Sequence, residues 1–343
     1  PARSVTISSQ RPAASLPRAY RRNSTSVVRP ASIIHIRHIL EHYFEETGSD
    51  DVVVEGHITG IASGFDRLDS LLGGLQRSDM IVLAARPSMG KSSLALRMAR
   101  NIAVDRKGCV AVFSLEMSKE QIVQRLLSAE SGLDTKRLRV SRHNYDEERR
   151  IMDASGVLAE ARIYIDDTPS PKIAELRSKA RRLHYDQGLD LLIIDYLQLI
   201  HGSGKPENRV QEISDISRSI KAIARELNVP VIAVSQLSRA VEQRTPHVPL
   251  LSDLRESGSI EQDADIVLFI YRADVYYTQE EWERQNPDQE YPEGVATVIV
   301  AKHRNGPTGQ IDLRFTKSTA KFDNFEPQGA ELVTQQALPR ISV

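Results

Sequence analysis

The chain has 343 residues, 40% of them hydrophobic, with a net charge of −1 at pH 7 and a single cysteine. That length supplies one large core or two modest ones, and no run of about 18 apolar residues is present, which excludes a transmembrane helix and gives no sign of a membrane partner. The near-neutral balance excludes coating of nucleic acid by bulk positive charge, so any such contact has to come from a local patch or from backbone N–H groups. Cys109 has no second cysteine for an internal disulfide or a zinc site, which fits a reducing cytosol.

Residues 1–30 carry Arg3, Arg11, Arg18, Arg21, Arg22 and Arg29, no acidic residue, and many Ser and Pro. This composition reads as a disordered tail, and an organelle transit peptide shares it. A segment 31–51 follows. In it Ser32 can cap a helix to about Glu46, with Ile33, Ile36, Leu40 and Tyr43 at helical spacing on one stripe. A tethered amphipathic helix has to bury that stripe, and a neighbouring subunit is a candidate. His35, His38 and His42 on the same helix read as a solvated face, because no Cys, Asp or Glu pattern completes a metal site.

From residue 59 apolar runs alternate with helical patterns. Strands are expected at 80–85, 110–114, 191–195, 231–235, 266–271, 295–301 and 311–315, and helices at 91–104, 119–131, 171–186 and 210–227. In the last helix Val210, Ile213, Ile220, Ile223 and Leu227 line one face. Near-continuous Val/Ile/Leu runs separated by helices imply an α/β fold with a mostly parallel sheet covered on both sides. The expected domain spans residues 52–325, with a tail at 326–343.

The chemistry starts at AARPSMGKSS, residues 84–93. A phosphate loop reads G-x-x-x-x-G-K-[ST], and here Gly90, Lys91 and Ser92 supply its second half while Ala85 holds the first glycine position. Context favours a working site. A strand ends at Ala85, the loop Arg86, Pro87, Ser88, Met89 follows, and a helix opens at Lys91 where free N–H groups favour an anion. Gly90 lets the backbone approach, Lys91 reaches the β- and γ-phosphates, and Ser92, followed by Ser93, can ligate Mg²⁺. Asp195 ends an apolar run, as an aspartate that holds Mg²⁺ does. Glu116 lies just past strand 110–114 and can polarise an attacking water, and Gln236 follows strand 231–235. All sit at carboxyl ends of strands, where open α/β sheets bind ligands.

The segments FSLEMS, LLIIDYLQLI, VSQLSRAVEQR, SDLRESGSIEQDADIVLFIYR and AKHRNGPTGQIDLRF, together with the phosphate loop, resemble the C-terminal ATPase domain of the DnaB-type replicative helicases, in order and spacing over residues 59–325. Within that family the phosphate loop commonly reads A-R-P-S-M-G-K. The resemblance implies a RecA-like P-loop ATPase that assembles as a homo-hexameric ring on single-stranded DNA and unwinds duplex with ATP and Mg²⁺, in the cytoplasm at the replication fork. It implies Glu116 as catalytic base, Lys91 and Ser92 on phosphate and metal, Asp195 on Mg²⁺ and Gln236 as γ-phosphate sensor. Arg304, assisted by Lys302, is implied as a finger that reaches a neighbouring subunit's nucleotide. Strand alternation also points Lys302 and Arg304 to one side of a hairpin whose turn is Asn305-Gly306. DNA contact is implied at Arg255, Glu256 and Gly258, with the loop 202–209 along the same channel, and helix 32–46 resembles the family's linker helix. The resemblance also brings in a helicase loader and primase as candidate partners; full members engage primase through a helical collar that no stretch here matches, so the chain is either a fragment or a collar-less relative, and these two partners depend on which. The alternative from another class is a RecA/RadA-type recombination ATPase that forms filaments.

Overall fold

The computed structural model describes residues 36–37, 58–139, 142–200 and 209–326. The chain divides into two compact units, residues 1–54 and 55–343. In the first only Ile36 and Arg37 are described, in helical conformation. The expected N-terminal tail, the remainder of helix 32–46, loop residues 202–208 and the tail from 327 lie outside the described residues.

The second unit is built on one nine-stranded sheet in the order β3-β2-β4-β5-β1-β6-β7-β8-β9. The strands are β1 Met80–Ala85, β2 Val110–Ser114, β3 Ile163–Asp166, β4 Leu191–Asp195, β5 Val231–Gln236, β6 Ile266–Tyr271, β7 Val295–His303, β8 Gly309–Thr316 and β9 Lys321–Asn324. The first six pair in parallel, and β6 to β9 pair antiparallel. The helices are α1 Asp66–Leu72, α2 Lys91–Arg100, α3 Lys119–Ser131, α4 Thr135–Leu138, α5 Tyr145–Ala159, α6 Ile173–Gln187, α7 Arg209–Leu227, α8 Gly258–Asp263, α9 Ala273–Tyr276 and α10 Gln279–Gln285. A π turn at Asn101–Asp105 extends α2, so the expected helix 91–104 ends in wider winding.

The sheet is buried on both faces, which is why its central strands read as unbroken apolar runs. Along β1, Ile81, Leu83 and Ala85 join one core with Leu94 and Met98 of α2 and Ile122 of α3. Met80, Val82 and Ala84 join the other with Leu176 of α6 and Ile213, Ile220 and Ile223 of α7. Each fully buried Leu, Ile or Met contributes roughly 1.5–3 kcal/mol by leaving water. In α7 the expected stripe shifts slightly, because Val210 is exposed and Ile216 is buried.

Local signals set several boundaries. Ser118 accepts from the Gln121 amide and Gln121 accepts from the Ser118 amide, a capping box that starts α3, and Gly132 at φ 68° ends it. The same box, Asn144 with Glu147, starts α5, a helix not expected from apolar spacing because among its residues only Ala154 is buried. The unexpected strands β3 and β9 have four residues each, and each sits at one end of the sheet. No helix among the described residues is long and apolar enough to cross a membrane.

Candidate active site

Parallel pairing brings the carboxyl ends of β2, β4, β5 and β1 side by side: Ser114 lies opposite Asp195, and Ala85 opposite Gln236. At this edge opens a cavity of about 640 Å³ whose lining includes Ser88, Gly90, Lys91, Ser92, Glu116 and Gln236. Residues from separate stretches of sequence therefore share one space.

The loop between β1 and α2 is shaped for an anion. Ser88 and Gly90 take positive φ, 66° and 102°, the alternating backbone from which anion-binding nests are made. Gly90 occupies the N-cap of α2 with no side-chain cap, so the first amides of the helix keep their donors for a ligand. Glycine is required there for a second reason: a Cβ would lie 2.9 Å from Cε2 and Cζ of Phe322. Ala85, in place of the motif's first glycine, is an ordinary residue of β1, and its carbonyl accepts from Leu237 N at 3.2 Å.

Electrostatics focus on Lys91 and Asp195. Burial pushes the Lys91 ammonium down, opposed by Asp195 and Glu116, with Arg86 adding to the decrease. Burial pushes the Asp195 carboxyl up, countered by a hydrogen bond from Ser92 and by Lys91. Asp195 Oδ1 is buried without a hydrogen-bond partner. Such an oxygen beside a serine hydroxyl suits a cation that would supply the missing partner, so the residues present fit Mg²⁺. Among the described residues no cluster of three His, Cys, Asp or Glu could hold a metal by itself. A hard cation at Ser92 and Asp195 would take its other ligands from phosphate and water. Glu116 is carried on a tight turn in which Met117 N donates to Ser114 Oγ at 3.2 Å and that hydroxyl donates to the Met117 carbonyl at 2.7 Å.

Two expected nucleotide contacts point elsewhere. Arg86 is buried and donates to Glu242 Oε1 from Nε (2.9 Å) and Nη2 (2.8 Å) and to the Leu237 carbonyl (2.8 Å), so its side chain ties the loop to the segment after β5. Met89 is buried in the core. Both can offer a nucleotide only backbone. Conversely, Arg125 and Arg139 line the cavity, as does Phe315 from β8; nothing in local sequence places β8 beside the phosphate loop. Gln198 likewise carries no local signal. It donates to Ser235 Oγ at 2.9 Å, bracing the end of β5 just before Gln236.

Lys302 and Arg304 share a side, and the irregularity in β7 falls before them and not between them. A bulge at β7, where Val267 pairs with Lys302 and Leu268 with Val300, shifts the register. Lys302 donates to the Glu261 carbonyl at 2.5 Å, and Arg304 donates to the Gln262 carbonyl. Neither lines the cavity of its own chain. Arg255, Glu256 and Gly258 do not form an open loop: the backbone runs from a 3₁₀ segment Leu251–Ser257 into α8.

A strand-loop-helix cradle with acid and amide groups on neighbouring strand ends is suited to a nucleotide phosphate, and comparison with family models gives the family that carries it here. The model of the DnaB-like helicase C-terminal domain matches residues 60–324. The chain belongs to that family. Among DnaB-like relatives, a replicative DNA helicase DnaB of Geobacillus stearothermophilus is 52% identical over 273 residues, 79% of this chain and 58% of the relative. The replicative DNA helicase DnaC of Bacillus subtilis is 50% identical over the same shares. This chain thus spans somewhat over half the length of the curated relatives it matches. Among solved structures, an isolated ATPase domain superposes with a TM-score of 0.77 at 38% identity, covering 86% of this chain and 100% of that one. A DnaB-like replicative helicase studied for its interactions with primase gives 0.74 at 37% identity, covering 87% of this chain and 68% of the other.

Proposed function

We propose that the chain is the motor of a ring helicase that hydrolyses ATP to move along single-stranded DNA and separate duplex. The observation that carries this reading is the convergence of Lys91, Ser92, Glu116 and Gln236 on one cavity while Lys302 and Arg304 stand outside it. An NTPase of this family with its cationic pair remote from its own phosphate site calls for a second copy to bring that pair in. The relatives found are replicative helicases, which favours a closed ring over a recombination filament.

In this reading the α2 amides and Lys91 hold the β- and γ-phosphates. Ser92 and Asp195 would hold Mg²⁺, which when bound would supply neutralisation of charge on the phosphate oxygens. Glu116 accepts a proton from the water that attacks the γ-phosphorus, and the bond to the β-bridging oxygen breaks. Gln236 senses the γ-phosphate at the end of β5. Arg304 from the adjacent subunit stabilises the transition-state charge, with Lys302 beside it. Arg255, Glu256 and Gly258 contact the DNA backbone, so any base sequence can pass.

The test is subunit mixing. Lys91→Ala and Arg304→Ala are each expected to be inactive in ATP hydrolysis, since an arginine finger is worth roughly 10³–10⁵ in rate. Mixed and reassembled, they create interfaces where an intact Lys91 faces an intact Arg304, so ATPase partly returns. Wild-type turnover in Arg304→Ala, or no recovery despite demonstrated mixing, removes the shared site.

A further inference from the structure

Asp265 is placed where three elements meet, and its backbone groups and one carboxylate oxygen are hydrogen-bonded. Its carboxylate Oδ2 accepts from Met80 N at 2.7 Å, at the entrance of β1, and pairs with Lys221 of α7. Lys221 also donates to the Ser78 carbonyl at 2.9 Å. The backbone of Asp265 exchanges both its groups: its N–H donates to the Met80 carbonyl at 3.0 Å, and its carbonyl accepts from Arg304 N at 2.9 Å. The remaining carboxylate oxygen, Oδ1, lies 3.8 Å from Arg304 Nη1. The Asp265 side chain is 8% exposed and that of Arg304 46% exposed. A fixed, buried carboxylate thus faces a half-exposed guanidinium whose own backbone hangs from the same residue.

We propose that Asp265 is a positioning residue for Arg304, an inference that rests on the reading of Arg304 as a finger for the neighbouring subunit. A long arginine side chain at a strand exit samples many rotamers, and ordering it costs free energy each time it docks. Here the Gln262 carbonyl, at the C-terminal end of α8, and Asp265 Oδ1 hold two sides of the guanidinium. Unsatisfied carbonyls at a helix C-terminus attract cations, and the neighbouring Glu261 carbonyl takes Lys302 in the same way. Asp265 is itself held by the Met80 amide on Oδ2 and by its own backbone bonds to Met80 and Arg304, so the carboxylate sets the finger's direction instead of following it, while Lys221 offsets its charge from the other side. The effect is exported: Asp265 shapes the hydrolysis that occurs on the next subunit's nucleotide.

The experiment extends the mixing assay with full-length chains. Asp265→Asn keeps the size and an acceptor for Met80 and removes the charge that faces Arg304. DNA-stimulated ATPase is expected to fall about tenfold in kcat with the ATP KM unchanged, the scale of coupling between residues in contact. On an Arg304→Ala background it should cause no further loss. Mixed with Lys91→Ala, Asp265→Asn should recover activity, because its own Lys91 site is intact and the Lys91→Ala subunit brings a well-held finger. Lys221→Met is the control. It breaks the same buried ion pair and should lower thermal stability as much, yet keep kcat within about twofold. Should Asp265→Asn fail to bind nucleotide and hence to fold, Asp265→Glu, which moves the charge by one methylene, is read in the same way. Four results overturn the inference: a rise in kcat, an equal loss in Lys221→Met, a further loss on the Arg304→Ala background, or no recovery with Lys91→Ala while the Arg304→Ala mixture recovers. If the Arg304→Ala mixture also fails, the shared site falls first and takes this inference with it.

Discussion

Replacing Gly90 by alanine perturbs the phosphate loop at its tightest point. Gly90 sits at φ 102° and ψ 20°, a left-handed conformation that costs an L-residue about 1–2 kcal/mol. The added methyl would also lie 2.9 Å from two ring carbons of Phe322 and 3.4 Å from Phe315 Cε2. Phe322 is fully buried and stacks at a tilt on Phe315, with centroids 4.7 Å apart. Phe315 also carries the buried Arg272 guanidinium, 4.1 Å from its centroid. The ring therefore has no solvent to swing into, and overpacking adds about 1–3 kcal/mol. Gly90→Ala should lose about 2–5 kcal/mol in urea unfolding and bind ATP more weakly, because the first amides of α2 move with the loop. The two contributions separate in a double variant. Phe322→Leu alone should cost about 1–2 kcal/mol. Combined with Gly90→Ala it should cost less than the sum, since the shorter side chain relieves the clash and leaves only the backbone strain. Strict additivity, or an unchanged midpoint in Gly90→Ala, would refute the packing argument.

Glu116→Gln should bind ATP normally and lose at least about 10²-fold in turnover, the size of a general base; unchanged turnover would take Glu116 out of the chemistry. Asp195→Asn should raise the unfolding midpoint of the nucleotide-free protein at neutral pH. Burial holds the folded-state pKa of Asp195 above its ordinary value, so the stability it contributes is present below the unfolded pKa and lost as pH rises through the folded one. The advantage of the amide should therefore shrink as pH is lowered toward the ordinary carboxylate range, and a stability difference independent of pH would contradict it. Arg255→Ala should weaken single-stranded DNA binding alike for all base sequences and flatten its salt dependence. Loss confined to particular sequences would argue against a phosphate contact.

Much of the site was legible because its information is local. The run MIVLAA followed by the loop and GKSS specifies strand, turn and helix within fourteen residues, from Met80 to Ser93, and the helix N-terminus supplies the anion chemistry wherever the strand is placed. Asp195 and Gln236 announced themselves by ending apolar runs, because a parallel sheet buried on both faces leaves polar residues only at its edges. Helix α3 had its bounds written in Ser118, Gln121 and Gly132. Strand order, by contrast, depends on pairings between residues far apart: β1 lies between β5 and β6, and Met80 aligns with Val231. That order alone brings Phe315 and Phe322 against Gly90, draws Arg86 away to Glu242, and sends Lys302 and Arg304 to the end of α8. Arginine, lysine and phenylalanine carry no mark of which partner they will meet. A backbone motif fixes its own geometry through neighbouring dihedrals, whereas a long side chain takes its direction from whatever surface the completed fold sets beside it.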